Sequence, residues 1–117
     1  MAKIRLKRVY EPASDDDGRR ILVERLWPRG IKKERAAVDL WLKEAAPSTE
    51  LRRWYKHDTA KWKEFRRRYE AELDDRADVV AQLVELARKG PLTFVYAARD
   101  EEHNSARVLR EYVLGRL

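Results

Sequence analysis

The sequence predicts a single α/β domain over residues 1–117, with a small, mostly parallel sheet flanked by helices. Three observations predict this class. Short apolar runs typical of strands alternate along the chain with longer segments that repeat at the helical period. Two of those runs are apolar at consecutive positions, as expected for strands buried on both faces of a parallel sheet. A length of 117 residues suits one domain of ordinary size.

Four segments are predicted to be strands, each from its own pattern. KIRLKRVY (residues 3–10) alternates between a partly apolar face and a mostly basic face, which indicates a half-buried strand. RILVERL (20–26) and LTFVYAA (92–98) carry the two continuous apolar runs. VDLWLKEAAP (38–47) fits both the period of a strand and the face of a helix, and we favour a short strand.

The relative orientation of the first two strands stays open. The link between them is short for a parallel crossover, so an antiparallel hairpin, and with it a mixed sheet, is an alternative. Asp15, Asp16 and Asp17 lie in this link among proline, serine and glycine residues. That composition predicts a solvated turn in which the aspartates bond to nearby backbone.

The helices are predicted from apolar periodicity and from capping residues at their starts. Four segments show the period: residues 48–57, 58–73, 75–90 and 105–117. Ser48 and Asp58 are suited to cap the first two, and Asn104 or Ser105 to cap the last. The second segment carries one apolar stripe that we expect to face the core, formed by Trp62, Phe65, Tyr69 and Leu73.

Composition narrows the classes of function. The chain has no cysteine, which excludes disulfides, thiolate metal sites and cysteine nucleophiles. A net charge of +6 and a pI near 9.7 favour anionic partners through long-range attraction. The sequence contains no apolar run long enough for a signal peptide or a membrane span, so we expect a cytoplasmic protein without membrane contact.

The residues best suited to bind an anion follow the second predicted strand, in ERLWPRG (residues 24–30). Ligands of open α/β sheets collect outside the carboxyl ends of the strands, and ARDEEHN (98–104) follows the last strand at the same edge. Arg25 and Arg29 are suited to hold phosphate or carboxylate, with Arg8 as a further cation. Gly30 permits a tight turn and close approach of the backbone to a ligand.

Two residues near the same edge are candidates for proton transfer. His103 is one candidate, because histidine side chains can serve as general acid or base, and an acidic residue at 100–102 is placed to orient it. Glu24 is the second candidate, although an ion pair with Arg25 that holds the strand end explains it equally well. Asn104 adds a polar contact at the amino end of the last helix, where exposed amides favour an anion.

The sequence contains no metal or nucleotide signature. His57 and His103 are far apart and lack the spacing of metal ligands, and His57 is interpreted as a cap for the carbonyls at the end of a helix. A glycine-rich phosphate loop is also missing. No metal site is therefore predicted, and the identity of any cofactor stays unknown.

Two other functions remain open beside a small anionic ligand. The first is a nucleic-acid-binding or regulatory protein that uses its basic surface. KWKEFRRRYE (residues 61–70) mixes basic and aromatic residues, as surfaces that bind nucleic acid do. The core stripe, however, accounts for its aromatic residues. The second is a non-catalytic interaction module, such as a homodimer, with Trp27 or Trp41 as an exposed contact.

The motifs together resemble the YeaO-like branch of the DUF488 family over essentially the whole chain. RLWPRG at 25–30, and the HN.A..L pattern that begins at His103, are the most specific of them. The resemblance implies an α/β domain and no established reaction. The sequence departs from the family pattern at two positions. The family usually has aspartate where this chain has Glu24, and the broader family carries a cysteine near His103 that this branch lacks.

Overall fold

The structure, a computed structural model, describes residues 3–117. These residues form four strands: β1 (Ile4–Arg8), β2 (Arg19–Leu22), β3 (Leu40–Trp41) and β4 (Leu92–Tyr96). They also form five α-helices: α1 (Lys33–Ala36), α2 (Thr49–Tyr55), α3 (Trp62–Asp74), α4 (Ala77–Lys89) and α5 (Ser105–Leu114). Within the same range, no helix has the length and apolarity that crossing a membrane requires.

The strands form one parallel sheet in the order β1-β4-β2-β3. The predicted α/β class is therefore confirmed, and the hairpin alternative for the first two strands is wrong. β1 and β2 do not pair, because β4 lies between them and pairs with both, with Arg8 beside Tyr96 and Leu22 beside Val95. All five residues of β4 are buried, as its continuous apolar run predicts.

The two faces of the sheet are covered differently. Ile21 and Phe94 point to the face that packs against α2, α3, α4 and α5, where the larger core cluster lies. Leu22 and Val95 point to the opposite face, because side chains alternate along a strand. That second face carries a smaller cluster under the loop after β2 and under α1, a single helical turn that the sequence did not indicate.

The predicted caps and the predicted stripe are confirmed. Ser48 Oγ accepts a hydrogen bond from the N–H of Leu51 at 3.1 Å, and Asn104 Oδ1 accepts one from the N–H of Arg107 at 2.9 Å. Asp58 caps a short 3-10 turn that leads directly into α3. Three of the four stripe residues on α3 are buried, and Trp62 packs against them partly exposed.

The link between β1 and β2 encloses a buried ion pair. Asp17 and Arg20 are 2% and 3% exposed, and the carboxylate lies 2.7 Å from the guanidinium. Lys7 on β1 adds a second cation at 3.2 Å, and Arg20 also donates to the carbonyl of Ala36 at 2.8 Å. The prediction of a solvated turn therefore holds for Asp15 and Asp16, which are exposed, and is wrong for Asp17.

The same link is tied directly to the start of β4. Thr93 Oγ1 donates to the carbonyl of Asp17 at 2.7 Å, and Arg19 N–H donates to the carbonyl of Pro91 at 3.1 Å. Gly18, between Asp17 and Arg19 in the sequence, has a φ of 63°. A Cβ at this position would lie 2.2 Å from the Pro91 carbonyl oxygen, so only glycine fits.

Gly18→Ala is expected to destabilise the fold by more than about 3 kcal/mol, since it adds left-handed strain and a backbone clash. Gly30→Ala is the matched control, because Gly30 also has a positive φ, 74°, but its added Cβ meets no atom within 4 Å. That variant should lose only about 1–2 kcal/mol. Urea unfolding of both variants measures the difference, and equal losses would contradict the steric account.

Asp17 is expected to make the free energy of unfolding depend on pH in the acid range. Burial by itself raises the pKa of Asp17, but hydrogen bonds from the Ser14 N–H, Arg20 and Lys7 outweigh it and lower the pKa from 3.8 to about 2. Between about pH 2 and pH 4, the folded state therefore binds fewer protons than the unfolded state does. This contribution to the free energy of unfolding is complete above about pH 4 and is lost as the pH falls through about 2.

Asp17→Asn should remove that part of the pH dependence. At neutral pH it should also cost about 3 kcal/mol or more, because Arg20 then lies buried without its counter-ion. Asp16→Asn is the control, since Asp16 is exposed in the same turn. Urea midpoints measured from pH 7 down to pH 2 test both variants, and parallel curves for the parent and Asp17→Asn would refute the assignment.

Candidate functional site

A cavity of about 440 Å³ opens at the carboxyl edge of the sheet. Its walls come from the residues after β2 and β4, from α2, and from the amino end of α5. Three of the residues predicted from the sequence line it, namely Glu24, His103 and Asn104. The cavity therefore lies at the edge of the sheet where ligands of α/β proteins bind.

Glu24 is held at the end of β2 by the neighbouring strand. Its Oε2 accepts a hydrogen bond from the N–H of Ala97 at 3.0 Å, just beyond β4. Burial raises the pKa of Glu24, and this bond together with the nearby charges of Arg52 and His57 only partly offsets the effect. A carboxyl group in this environment exchanges a proton more readily near neutral pH than an exposed glutamate does.

His103 is oriented by Asp100. Its Nδ1 lies 3.0 Å from Asp100 Oδ2, while Asp100 Oδ1 accepts the N–H groups of His103 and Glu102, each at 2.9 Å. These backbone bonds, and then the ring of His103, hold the pKa of Asp100 below its usual value. The rings of His103 and Trp62 are perpendicular, with 5.3 Å between their centroids. The arrangement leaves Nε2 of His103 as the ring atom able to bond to a ligand.

Asn104 is buried and uses both ends of its amide within the protein. Nδ2 donates to the carbonyl of Asp100 at 3.0 Å, and Oδ1 caps α5. The side chain thus fixes the turn that carries His103. Ser105, the first residue of α5, lines the cavity beside it.

Arg25 and Arg8 hold loops in place through backbone carbonyls. Arg25 Nε donates to the carbonyl of Pro47 at 3.2 Å, which ties the end of β2 to the segment before α2. Arg8 Nε donates to the carbonyl of Ala98 at 2.9 Å, which ties the end of β1 to the residues after β4. Neither arginine lines the cavity, and Glu24 and Arg25 do not form the ion pair that was the alternative interpretation of Glu24.

Arg29 and Gly30 lie in the loop over the second face of the sheet, away from the cavity. Both are exposed, and the carbonyl of Arg29 accepts a hydrogen bond from the hydroxyl of Tyr10 at 2.9 Å. The positive φ of Gly30 agrees with the predicted tight turn. The role of Arg8, Arg25, Arg29 and Gly30 as ligand contacts stays a prediction.

The cations that do line the cavity come from α2 and the residues after it. They are Arg52 and Arg53, and the basic side chain of His57 lies beside them; all three residues are exposed. Within residues 3–117, neither arginine side chain forms a hydrogen bond or a salt bridge. Sequence reasoning missed them because RRWYKH resembles any basic surface helix. Only the packing of α2 beside the strand ends brings these charges to the site.

His57 reaches the cavity through an unusual backbone turn. Lys56 and His57 both have positive φ values, 48° and 57°. Lys56 N–H closes α2 by donating to the carbonyl of Arg52 at 3.0 Å. In the described part of the chain the His57 ring makes no hydrogen bond with the carbonyls of α2, so its interpretation as a helix cap is wrong. Its ring lies 6.1 Å from that of Tyr55, at the cavity wall.

The rest of the wall is apolar and aromatic. Tyr55 stacks on Phe65 with 4.2 Å between ring centroids, and its hydroxyl lies 3.4 Å from the carbonyl of His103. Leu26, which is 67% exposed, lies at the mouth. Within residues 3–117, no group of three or more histidine, aspartate or glutamate side chains is arranged to hold a metal ion.

Comparison with known proteins assigns the family. The model of the inactive DUF488-N3 subclade matches residues 3–117. The chain belongs to the DUF488 family. The resemblance noted from the motifs is thereby confirmed over nearly the whole length.

Relatives of this DUF488 chain occur in distant bacteria. An uncharacterized protein of Escherichia coli K12, YeaO, is 46% identical over 110 residues, which cover 94% of this chain and 96% of the relative. An uncharacterized protein of Mycobacterium bovis, Mb3100c, is 43% identical over 114 residues, which cover 97% of this chain and 96% of the relative. Rv3073c of Mycobacterium tuberculosis H37Rv is similar to the same extent. No solved structure matches the chain.

The two arginines of ERLWPRG are expected to differ in their effect on stability. Arg25→Met should cost about 1–2 kcal/mol, because the carbonyl of Pro47 loses its donor and that of Ala46 keeps only the one from Arg76. Arg29→Met should change stability by less than about 0.5 kcal/mol, since that side chain is exposed. Thermal unfolding of the two variants compares them directly, and the reverse order would contradict the assigned contacts.

Proposed function

We propose that this DUF488 protein binds a small anionic ligand in the cavity and does so without transforming it. The observation that carries the proposal is the convergence of Arg52, Arg53 and His57 on one cavity at the carboxyl edge of the sheet. The two guanidinium groups are charged at all relevant pH values and are suited to bidentate contact with phosphate or carboxylate.

Other features of the molecule support an anion at this position. The amino end of α5 lies at the cavity, where backbone N–H groups and the helix dipole favour negative charge. The net charge of +6 attracts anions towards the protein as a whole. A volume of about 440 Å³ falls in the usual range for sites that bind small molecules.

Two observations favour binding over catalysis. The subclade whose model matches this chain is described as inactive. The chain also has no cysteine, so the thiol that the broader family carries near His103 is missing. The His103–Asp100 pair and Glu24 are chemically able to move a proton, and we assign them to hydrogen bonding with the ligand instead.

Nucleic-acid binding through α3 has less support. The aromatic residues Phe65 and Tyr69 are buried in the core and offer no surface for stacking bases. Arg68 bonds to Glu64 at 2.8 Å, which neutralises part of the basic face. A DNA titration at low salt tests this alternative, since binding by surface charge would weaken steeply as salt is added.

The alternative of a non-catalytic interaction module expected Trp27 or Trp41 to be exposed, and both are partly buried instead. Trp27 and Trp41 meet edge to face with 5.5 Å between centroids, and both pack against the smaller core cluster. Their indole N–H groups donate to the carbonyls of Ile31 and Glu24, each at 2.7 Å. A homodimer stays a prediction that light scattering tests.

Arg52→Ala and Arg53→Ala are each expected to weaken anion binding about tenfold, which corresponds to about 1.4 kcal/mol for one charge-assisted contact. A thermal-shift screen with phosphorylated and carboxylated metabolites identifies binders, and calorimetry then measures their affinity. Inorganic phosphate serves as the simplest probe.

Arg88→Ala is the matched control for both variants. It removes the same charge from an exposed position on α4, which does not line the cavity. The control should keep the affinity of the parent protein. Equal weakening in all three variants would assign the binding to net charge, and no binder in the parent would overturn the proposal.

A further inference from the structure

We propose that the ligand of this cavity is bipolar: beside its anionic group it carries an N–H donor, such as an amine, that bonds to Glu24. This inference rests on the proposed function and specifies the class of ligand. It starts from the presence of a carboxyl group and two guanidinium groups in the lining of the same cavity.

Glu24 has one oxygen free for a ligand. Oε2 accepts the N–H of Ala97, whereas Oε1 has no hydrogen-bond partner within residues 3–117. Glu24 also forms no salt bridge there, although Arg52 and His57 are close enough to influence its charge. A carboxylate partly removed from water, with one oxygen unbonded, gains from any donor that a ligand brings to it.

The charges of the cavity favour a ligand that carries both signs of charge over a simple anion. Arg52 and Arg53 attract an anion, but ionised Glu24 in the same cavity repels it, and the repulsion is stronger where water is partly excluded. A donor on the ligand turns this repulsion into attraction. A site with both signs of charge thus binds a molecule that matches both more tightly than it binds inorganic phosphate.

The apolar part of the cavity wall suits a short apolar linker. Tyr55 and Phe65 present stacked rings, and Leu26 adds an exposed aliphatic side chain at the mouth. A hydrocarbon chain or a ring that joins the donor to the anionic group would bury apolar surface here. The chemical class is therefore an amino acid or an aminoalkyl phosphate or phosphonate of small size.

Matched pairs of probes test the inference by calorimetry. Ethyl-, propyl- and butylphosphonate are compared with the phosphonates of the same length that carry a terminal amine. For at least one chain length, the amino compound should bind the parent protein at least tenfold more tightly. In Glu24→Gln that preference should fall below about threefold, while the plain phosphonate binds at least as tightly as before, because the repulsion is gone.

Each outcome has a separate meaning. If the two members of every pair bind equally to the parent, the bipolar ligand is refuted and the anion site stands. If neither member binds, the proposed function fails, and the inference fails with it. A preference that persists in Glu24→Gln overturns the role of Glu24. Thermal unfolding without ligand checks that Glu24→Gln folds. If it does not fold, the comparison of amino and plain phosphonates in the parent protein alone decides whether the ligand is bipolar.

Discussion

The structure depends on the insertion of β4 between β1 and β2. Strands that are close in sequence are thereby kept apart, and each pairs with a strand from much later in the chain. Such non-local pairing has a high entropic cost, which the complete burial of all five β4 residues helps to offset. The cavity depends on the same strand, because the N–H of Ala97 just beyond it holds Glu24 and the turn that follows carries His103.

The link from β1 to β2 shows the local consequence of this insertion. Residues 9–18 return along the second face of the sheet without a crossover helix to cover it. A buried network of charged side chains lies in this link instead of an apolar cluster. In it, Asp17 accepts hydrogen bonds from Lys7, from Arg20 and from the N–H of Ser14. A pair so fully hydrogen-bonded specifies one arrangement, since loss of either partner leaves a buried charge alone.

The cavity combines rigid and strained parts. Glu24 and His103 are each held by a hydrogen bond to a neighbouring residue, so their positions are defined before any ligand arrives. His57 reaches the wall from two consecutive residues in the left-handed region, a conformation that is costly for residues other than glycine. Preorganised polar groups beside two arginines without side-chain partners in residues 3–117 support the proposal that the cavity binds a small charged molecule.

Much of this could be read from the sequence, because it depends on local patterns: the α/β class, the buried strand at β4, the stripe on α3 and the caps at Ser48 and Asn104. The sheet edge that carries Glu24 and His103 follows from the same rules. Packing between distant segments decided the rest. It placed β4 between β1 and β2, buried Asp17, directed Arg25 to the carbonyl of Pro47 and brought Arg52 to the cavity. No local period encodes these contacts, since each depends on which distant segment lies alongside.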